Sequence, residues 1–141
     1  MIISQIEVLL NYANRFYDRQ FLTRKAVNND LLARLEQQLE DYVNEDSSLI
    51  QGLPAVNTMA ENLNVTPRYL SDMLRNLVGL NTQQFIHEKV IEKAKEYLAK
   101  DELTIAEIAY HLGFEHPQSF NKLFKSKTSL SPSDYKRNLM N

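Results

Sequence analysis

Cysteine is absent from this sequence, and glycine and proline are scarce, with three and four residues among 141. Without cysteine, the chain has no disulfide bond and no thiolate metal site. With so few glycines and prolines, few positions interrupt a helix, and the residues that dominate instead, such as Leu, Lys, Glu, Gln and Ala, favour helices. The composition therefore predicts an all-α fold.

Long apolar runs are also missing. The longest are far too short to cross a bilayer, and the first ten residues have neither the basic region nor the small-residue cleavage site of a secretory signal. A hydrophobic content of 43% with 24% charged residues is typical of a folded globular protein. We therefore expect a cytoplasmic protein with no membrane partner.

The charges are unevenly distributed along the chain. The net charge is −2, which argues against indiscriminate nucleic-acid binding. Residues 104–141 hold five Lys or Arg and three Asp or Glu, whereas residues 1–50 hold five and eight. A mildly basic C-terminal part therefore follows an acidic N-terminal part.

Two helices are predicted in the N-terminal part. Ser4 and Glu7 have the spacing of a capping box, and apolar residues follow at helical spacing up to Tyr17. A second apolar helical face runs from about Asp30 to Val43. The two faces either pack on each other or contact a second chain or another domain. An exposed apolar stripe of that size is unusual in a monomer, which favours contact with a second chain or another domain.

Residues 44–54 are polar and contain a glycine and a proline, which predicts a linker. The expected division of the chain is therefore an N-terminal helical segment, residues 1–48, followed by a second domain, residues 49–141.

The second domain contains an internal repeat. Residues 59–85 align with residues 108–135, at a spacing of 49 that becomes 50 before the second helix of each copy. In each copy a short helix carries a small alanine, which lets a neighbouring helix approach, and a hydrophobic residue follows at the corner. The same physical pattern is thus present twice.

Each copy has the layout of a helix-turn-helix motif. The first helix ends at a residue that accepts a positive φ, Asn64 or Gly113. The second helix has a proline in its first turn, Pro67 or Pro117, where the missing N–H is harmless. Thr66 is the expected N-cap of the second helix in the first copy, and Thr104 with Glu107 has the spacing of a capping box at the first helix of the second copy. The pattern therefore predicts two helices joined by a tight turn, with the second presented outward.

A helix is also predicted between the two copies, with Asn81 as its N-cap. Its predicted apolar stripe consists of Phe85, Ile86, Val90, Ala94, Tyr97 and Leu98. Roughly 18 residues of helix span about 27 Å, and successive major-groove faces on one side of B-DNA lie ~34 Å apart. A stiff helix of this length can hold two recognition helices at a similar separation, so the polar residues on those helices are candidates for reading bases.

The sequence at this point resembles the DNA-binding domain of AraC/XylS-family transcription regulators. The segments TIAEIAYHLGFEHPQSFNKLFK and SLSPSDYKR are similar to the second motif of that family. LNVTPRYLSDMLRNLVGLNTQQFI resembles its first motif, and EKVIEKAKEYL resembles its connecting helix. The resemblance implies a first helix-turn-helix over residues 54–80, a connecting helix over residues 82–100 and a second helix-turn-helix over residues 103–137.

The resemblance also implies a function. The expected protein is a sequence-specific transcription regulator that inserts two recognition helices into adjacent major-groove segments and activates transcription with RNA polymerase. The expected partners are double-stranded DNA and RNA polymerase. A homodimer through the N-terminal helices or through a further domain is left open.

Family members usually join this domain to an effector-binding or dimerisation domain. Residues 1–48 are too few for a ligand-binding barrel, so we expect them to be the helical tail of such a domain in a longer regulator. The alternative is a short member of the family that stands alone.

Five positions depart from the family pattern. Ser129 replaces a usual glycine, Leu74-Arg75 replaces Phe-Lys, and Lys89 replaces Arg. Asp72 lies on the outward face of the first recognition helix, where an acid repels phosphate. This last departure weakens the expectation of DNA contact by the first motif and favours an alternative, a protein-interaction module of the same fold with weak or lost DNA binding.

The residues expected to face the core are Leu70, Met73 and Leu74 in the first recognition helix, and Phe120, Leu123 and Phe124 in the second. Candidate DNA-binding residues lie on the opposite faces of the two helices. Gln and Asn pair with adenine, Lys and Arg reach guanine or phosphate, and Ser serves either; a solvated helix face is the alternative reading. The candidates are Arg68, Ser71 and Arg75 in the first motif, and His116, Gln118, Ser119, Asn121, Lys122 and Lys125 in the second, of which His116 and Ser119 are the weaker ones. Lys127, Lys136 and Arg137 are further candidates for phosphate contact.

No residue pattern indicates catalysis or a metal. The three histidines, His87, His111 and His116, have no partner histidine four residues away. Neither a nucleophile–base arrangement nor a glycine-rich phosphate loop occurs in the sequence. We therefore expect no enzyme activity, no cofactor and no metal.

Overall fold

A computed structural model provides the structure of the chain and describes residues 24–45, 48 and 51–141. The helix expected after Ser4 lies outside these residues. The chain divides into two compact units, Met1–Arg34 and Leu35–Asn141. In the first unit residues 24–34 are helical, so helical structure begins before the expected start near Asp30.

The second unit contains seven helices in its described residues. Residues 51–141 and the described residues before them contain no strand, and the all-α prediction is confirmed, as is the order of two helix-turn-helix pairs around a long helix. The helices are residues 35–44 (α1), Val56–Asn62 (α2), Pro67–Val78 (α3), Thr82–Lys100 (α4), Ile105–His111 (α5), Pro117–Thr128 (α6) and Pro132–Met140 (α7).

Side chains cap the helices where the sequence predicts it. At α4 the side chain of Asn81 accepts from the backbone N–H of Gln84 at 2.8 Å, and the Gln84 side chain accepts from the Asn81 N–H at 3.0 Å. Thr104 and Glu107 form the same reciprocal pair at the start of α5, with both distances 3.1 Å. Each pair satisfies two backbone donors that lack a partner inside the helix.

The connecting helix α4 is the centre of the second unit, since it contacts α3, α5, α6 and α7. Its predicted apolar stripe is confirmed, although Tyr97 is only half-buried and Ile91, which was not predicted, is buried as well. Because one rigid helix packs against both motifs, it fixes where each recognition helix stands. The other buried residues of the stripe are Phe85, Ile86, Val90, Ala94 and Leu98.

The apolar face of α1 is buried inside the second unit. Leu35, Leu39 and Val43 are 0%, 2% and 5% exposed. This part of the stripe is therefore not the exposed surface that favoured contact with a second chain. A groove of about 270 Å³ lies between α1 and α4, and Leu39, Val43, Lys89 and Lys93 are among the residues that line it.

The segment expected to be a linker is packed against the protein. Asn44 ends α1, and Ser48 and Gln51 are helical. Ser48 is fully buried, and Pro54 is buried too. The linker interpretation is wrong for these residues because they form contacts within the second unit. That unit begins at Leu35, before the expected boundary at residue 48.

Candidate nucleic-acid interface

The turns of the two motifs are built by the same backbone geometry. Asn64 and Gly113 adopt positive φ values of 58° and 98°, as the repeat predicts. The residue after each turn donates its N–H to the alanine of the first helix, from Val65 to Ala60 at 3.1 Å and from Phe114 to Ala109 at 3.0 Å. These bonds satisfy carbonyls that the helix end leaves without partners.

The starts of the recognition helices α3 and α6 differ in one respect. Both have the predicted proline in the first turn. The Thr66 side chain accepts from the Tyr69 N–H at 3.1 Å, as predicted. His116 is the N-cap of α6 and its side chain makes no cap bond. The exposed His116 ring therefore does not cap this helix.

Both recognition helices end in a left-handed residue. Gly79 has a φ of 76° and Ser129 a φ of 68°. The two residues are 50 positions apart and occupy the same place in the repeat. Ser129 therefore adopts a conformation that is costly for a residue with a Cβ atom.

The apolar side of α3 is buried as predicted, with Leu70, Met73 and Leu74 nearly inaccessible to solvent. On the opposite side Ser71 is half-buried. The structure therefore brings the three candidates of the first motif to one face of α3, together with an acid that was not a candidate. The exposed residues of this face are Arg68, Asp72 and Arg75.

Aromatic rings hold α6 in place. Phe120 and Phe124 are fully buried, whereas Leu123, predicted to be core, is half-buried. Ring centroids are 5.5 Å apart between Phe114 and Phe120, 5.7 Å between Phe120 and Phe124, and 5.4 Å between Phe124 and Tyr135. This series leaves the other side of α6 in solvent. All six candidates of the second motif are exposed there or at the helix start: His116, Gln118, Ser119, Asn121, Lys122 and Lys125.

The spacing of 50 residues relates the two outward faces position by position. It pairs Arg68 with Gln118, Ser71 with Asn121 and Arg75 with Lys125. The same spacing pairs two further residues of α3 with candidates on α6, and neither was selected from the sequence. They are Tyr69, 45% exposed and equivalent to Ser119, and Asp72, equivalent to Lys122. Applying the repeat to every candidate would have found both.

The positive charges near the C-terminus differ in their availability. Lys122 and Lys125 lie on α6, whose sequence contains no acid. Lys136 forms an ion pair with Asp101 at 2.5 Å, and Arg137 lies 3.5 Å from Asp134. Lys136 and Arg137, which the sequence suggested for phosphate contact, are therefore engaged within the protein, which makes them weaker candidates.

Two contacts fasten the segment before α2 to the second motif near its turn, and a third ties that segment to α1. The Ser48 hydroxyl donates to the carbonyl of His111 at 2.6 Å. The Tyr42 hydroxyl donates to the carbonyl of Gly52 at 2.8 Å, and burial raises the pKa of Tyr42, which keeps the phenol protonated. The backbone of Gly52 in turn lies directly against Gly113. The second motif is therefore supported from outside the repeat.

An open groove of about 730 Å³ borders this contact, and Gly52, Gly113, His116 and Ser119 are among its lining residues. The groove joins the segment before α2 to the start of the recognition helix α6. Its lining also includes Leu53, Tyr110 and Phe114, and two of the weaker DNA-binding candidates lie along it.

Besides Tyr42, two titratable groups outside the recognition helices have shifted pKa values. Burial lowers the pKa of His87, and the positive charge of Lys127 lowers it further. The backbone and hydroxyl hydrogen bonds from Thr104 lower the pKa of Glu107, which favours the ionised form of its carboxyl group. His87 is half-buried on α4 and lies outside the candidate interface.

Among the residues that the structure describes, no group of three or more His, Cys, Asp or Glu residues is arranged to hold a metal ion. No described helix has the length and apolar character needed to span a membrane.

Comparisons with known proteins agree with this architecture. The sequence profile of a helix-turn-helix domain family matches residues 59–138. Over 109 residues the chain is 30% identical to the HTH-type transcriptional activator RhaS of Escherichia coli O157:H7 (strain EC4115 / EHEC), which covers 77% of this chain and 35% of RhaS. The chain thus spans about a third of the length of that relative.

Solved structures show the same fold. The C-terminal domain of AraT, a response regulator from Geobacillus stearothermophilus, is 32% identical with a TM-score of 0.61, over 74% of this chain and 84% of that one. The DNA-binding domain of AdpA, a global transcriptional factor solved in complex with a target DNA, has a TM-score of 0.62 at 19% identity, over 79% of this chain and 90% of that one.

Proposed function

This chain belongs to the AraC/XylS family of helix-turn-helix DNA-binding domains, and on that premise we propose that it reads a bipartite DNA site with both of its recognition helices. Each of α3 and α6 enters one major-groove segment, and the two segments are adjacent on one face of the duplex. Relatives in this family are transcription regulators, and the proposed role of this chain is sequence-specific regulation of transcription.

The observation that supports this proposal is the equivalence of the two outward faces at a constant spacing of 50 residues. Arg68, Ser71 and Arg75 on α3 stand where Gln118, Asn121 and Lys125 stand on α6. Two helices with the same construction and the same polar positions are expected to perform the same task.

The connecting helix has a suitable length for the task. At ~1.5 Å per residue, the 19 residues of α4 span about 28 Å. The distance between successive major-groove faces is ~34 Å, and the side chains of two recognition helices extend beyond the axis of α4. A modest bend of the duplex would accommodate the remaining difference.

The side chains on α6 suggest individual roles. Gln118 and Asn121 have the amide groups that pair with adenine, and Lys122 suits guanine. Lys125 lies one turn further along the helix and suits a phosphate contact. His116 and Ser119, at the start of the helix, are the weaker members of the set.

The first motif is proposed to act similarly through α3. Arg68 has the guanidinium that pairs with two acceptors of guanine, and the half-buried Ser71 can bond to any base edge nearby. Arg75, near the end of the helix, suits a phosphate. These three roles predict that both halves of the DNA site contribute to sequence preference.

Activation through RNA polymerase is a further part of the proposal. It is supported by the name of the relative RhaS, a transcriptional activator. A cytoplasmic location follows from a role on DNA. The earlier part of the chain, residues 1–48, is proposed to connect these motifs to an effector-binding or dimerisation domain.

Selection from a random duplex library at several salt concentrations tests the proposal. Enrichment of a site with two elements about one helical turn apart is the expected result. A single enriched element would contradict insertion of both helices. Retention without enrichment that disappears as salt rises would reduce the interaction to phosphate attraction.

The variant Lys122→Ala separates DNA reading from the alternative, a protein-interaction module of the same fold, which the net charge of −2 favours. The expected result is weaker binding to the selected site, while Lys100→Ala, which removes the same charge from the exposed end of α4, leaves affinity nearly unchanged. Equal affinities for the two variants, or no retention of DNA at low salt, would contradict the proposal.

A further inference from the structure

Asp72 occupies a position on the first recognition helix where its charge is unexpected. It is exposed, and it is the counterpart, at the spacing of 50 residues, of Lys122 on α6. The repeat therefore places an acid and a base at the same site of two otherwise similar helices. If α3 enters a major groove, the Asp72 carboxylate is carried toward base edges together with Arg68.

A structural role for Asp72 finds no support. It is the sixth residue of α3, too far from the N-terminus to cap the helix, and Thr66 already accepts the bond from the first turn. Within the described residues no ion pair or side-chain hydrogen bond engages its carboxylate. Both carboxylate oxygens are thus available to a ligand.

The neighbours of Asp72 offset its repulsion of DNA. Arg68 lies four residues before it and Arg75 three residues after it, which are the spacings that bring side chains together on one helix face. This face therefore keeps a net positive charge of one, and the arginines can contact phosphates or guanine on either side while the acid stays between them.

The chemistry of a carboxylate restricts which base it can recognise. An ionised Asp only accepts hydrogen bonds. In the major groove cytosine offers its N4 amino group as a donor, whereas guanine and thymine present acceptors that repel the carboxylate. Adenine has a donor at N6 but an acceptor beside it at N7, so cytosine is the most favourable base for this side chain.

We propose that Asp72 reads a cytosine in the DNA element bound by α3. This inference rests on the proposed function, because it requires α3 to enter the groove. It assigns opposite preferences to the two equivalent positions, cytosine for Asp72 and guanine for Lys122. The acid is then a source of specificity that rejects other bases, at some cost in general affinity for DNA.

The test is library selection with the wild-type chain, Asp72→Ala and Asp72→Asn, after thermal melting has verified that each variant is folded. In the wild type one position of the α3 element is expected to be cytosine. Asp72→Ala should reduce the preference for that base about fivefold or more, since one good base contact contributes roughly 1–3 kcal/mol of discrimination. Asp72→Asn should shift the preference toward adenine, with which an amide pairs.

A control variant separates a base contact from a change in net charge. Glu61→Gln removes one negative charge from an exposed position on α2 and should tighten binding slightly without altering any base preference. If Asp72→Ala behaves in the same way, tightening binding to all sequences while every preference persists, Asp72 is only a source of repulsion and the inference is overturned.

The failure of this inference can be distinguished from failure of the proposed function. A wild-type chain that enriches two elements, neither of which changes in Asp72→Ala, refutes the cytosine contact alone. A wild-type chain that enriches one element, and loses it in Lys122→Ala, shows that α6 reads alone and refutes both the cytosine contact and the two-helix proposal. Absence of any enrichment refutes all DNA reading.

Discussion

The backbone of Gly113 lies so close to that of Gly52 that a Cβ atom added to Gly113 would stand 2.5 Å from the carbonyl carbon of Gly52. Only a residue without a side chain permits this approach. Gly113 also has a φ of 98°, so the turn of the second motif has two independent reasons to require glycine.

Substitution of Gly113 by alanine should therefore destabilise the protein more than the same change at Gly79. Both glycines have positive φ, which costs an alanine roughly 1–2 kcal/mol, but a Cβ atom at Gly79 meets no atom within 4 Å. Overpacking at Gly113 should add about 1–3 kcal/mol. Urea unfolding of the two variants measures the difference, and equal losses would contradict the close contact.

The buried hydroxyl of Ser48 should contribute to stability. Ser48→Ala removes the bond to the carbonyl of His111 and should lower the free energy of unfolding by about 1–2 kcal/mol. The control is Ser126→Ala, which removes a bond of the same kind to the carbonyl of Leu123 at an exposed site. Water can replace that bond, so a loss for Ser126→Ala as large as for Ser48→Ala would contradict the prediction.

Exchange of residues between the two helix ends should have opposite effects. Ser129→Gly relieves a left-handed residue and should stabilise the protein by ~0.5–1 kcal/mol, since the greater freedom of glycine in the unfolded chain offsets part of the gain. Gly79→Ser should destabilise it by a similar amount. Thermal unfolding measures both, and changes of the same sign would show that the two positions are not equivalent.

His87 should make stability depend on pH. Its pKa is lower in the folded protein than the usual 6.5, so at higher pH the residue is neutral in both states and contributes nothing. As the pH falls below 6.5, the unfolded chain takes up a proton first, and the free energy of unfolding decreases until the folded protein is protonated too.

Urea unfolding at pH 7.5 and at pH 5.5 measures this effect of His87. The variant His87→Gln should lose less stability over this range than the wild type. An unchanged loss in His87→Gln would contradict the assignment.

Lys125 and Lys136 should differ in their effect on DNA binding. Lys125 is exposed on α6, and Lys125→Ala should reduce the slope of log affinity against log salt concentration by about 1. Lys136 is paired with Asp101, so Lys136→Ala should leave the slope nearly unchanged and alter stability by at most about 1 kcal/mol. Equal changes in slope would contradict the distinction between the two lysines.

Much of the fold was predictable because its signals are local. Asn64 and Gly113 mark the turns by their tolerance of positive φ, and Pro67 and Pro117 mark the helices that follow. The capping residues Thr104 and Glu107 are only three positions apart. Signals of this kind need no knowledge of tertiary packing, and for this reason the sequence indicated both motifs and the helix between them.

The contacts of Ser48 and Gly52 could not be predicted in this way. The bond from Ser48 to His111 joins residues that are 63 positions apart, and a stretch of small polar residues with a glycine has the composition of a linker whether it is packed or not. The pairing of Lys136 with Asp101 is similar, because nothing in the sequence tells which of several surface charges will be neighbours.

The candidate interface, too, has features that could be predicted from the sequence and features that could not. The repeat and the burial of Leu70 and Phe120 decide which side of each recognition helix faces outward, so the exposed candidates were accessible to sequence reasoning. Tyr69 and Asp72 could be selected as candidates only by comparing equivalent positions of the two helices. An aromatic residue or an acid on a recognition helix does not match the expected chemistry of DNA contact.

The packing of Gly52 against Gly113 also bears on how such regulators can be recombined. A crossover that joins the residues before α2 of one parent to the second motif of another takes positions 52 and 113 from different proteins. The chimera keeps this packing only if the parent that supplies the second motif has glycine at position 113, because a Cβ atom there would collide with the backbone of residue 52. The heritable unit of the second motif is therefore longer than the motif itself, and a graft of this motif into a foreign chain has to carry residues 42–52 along.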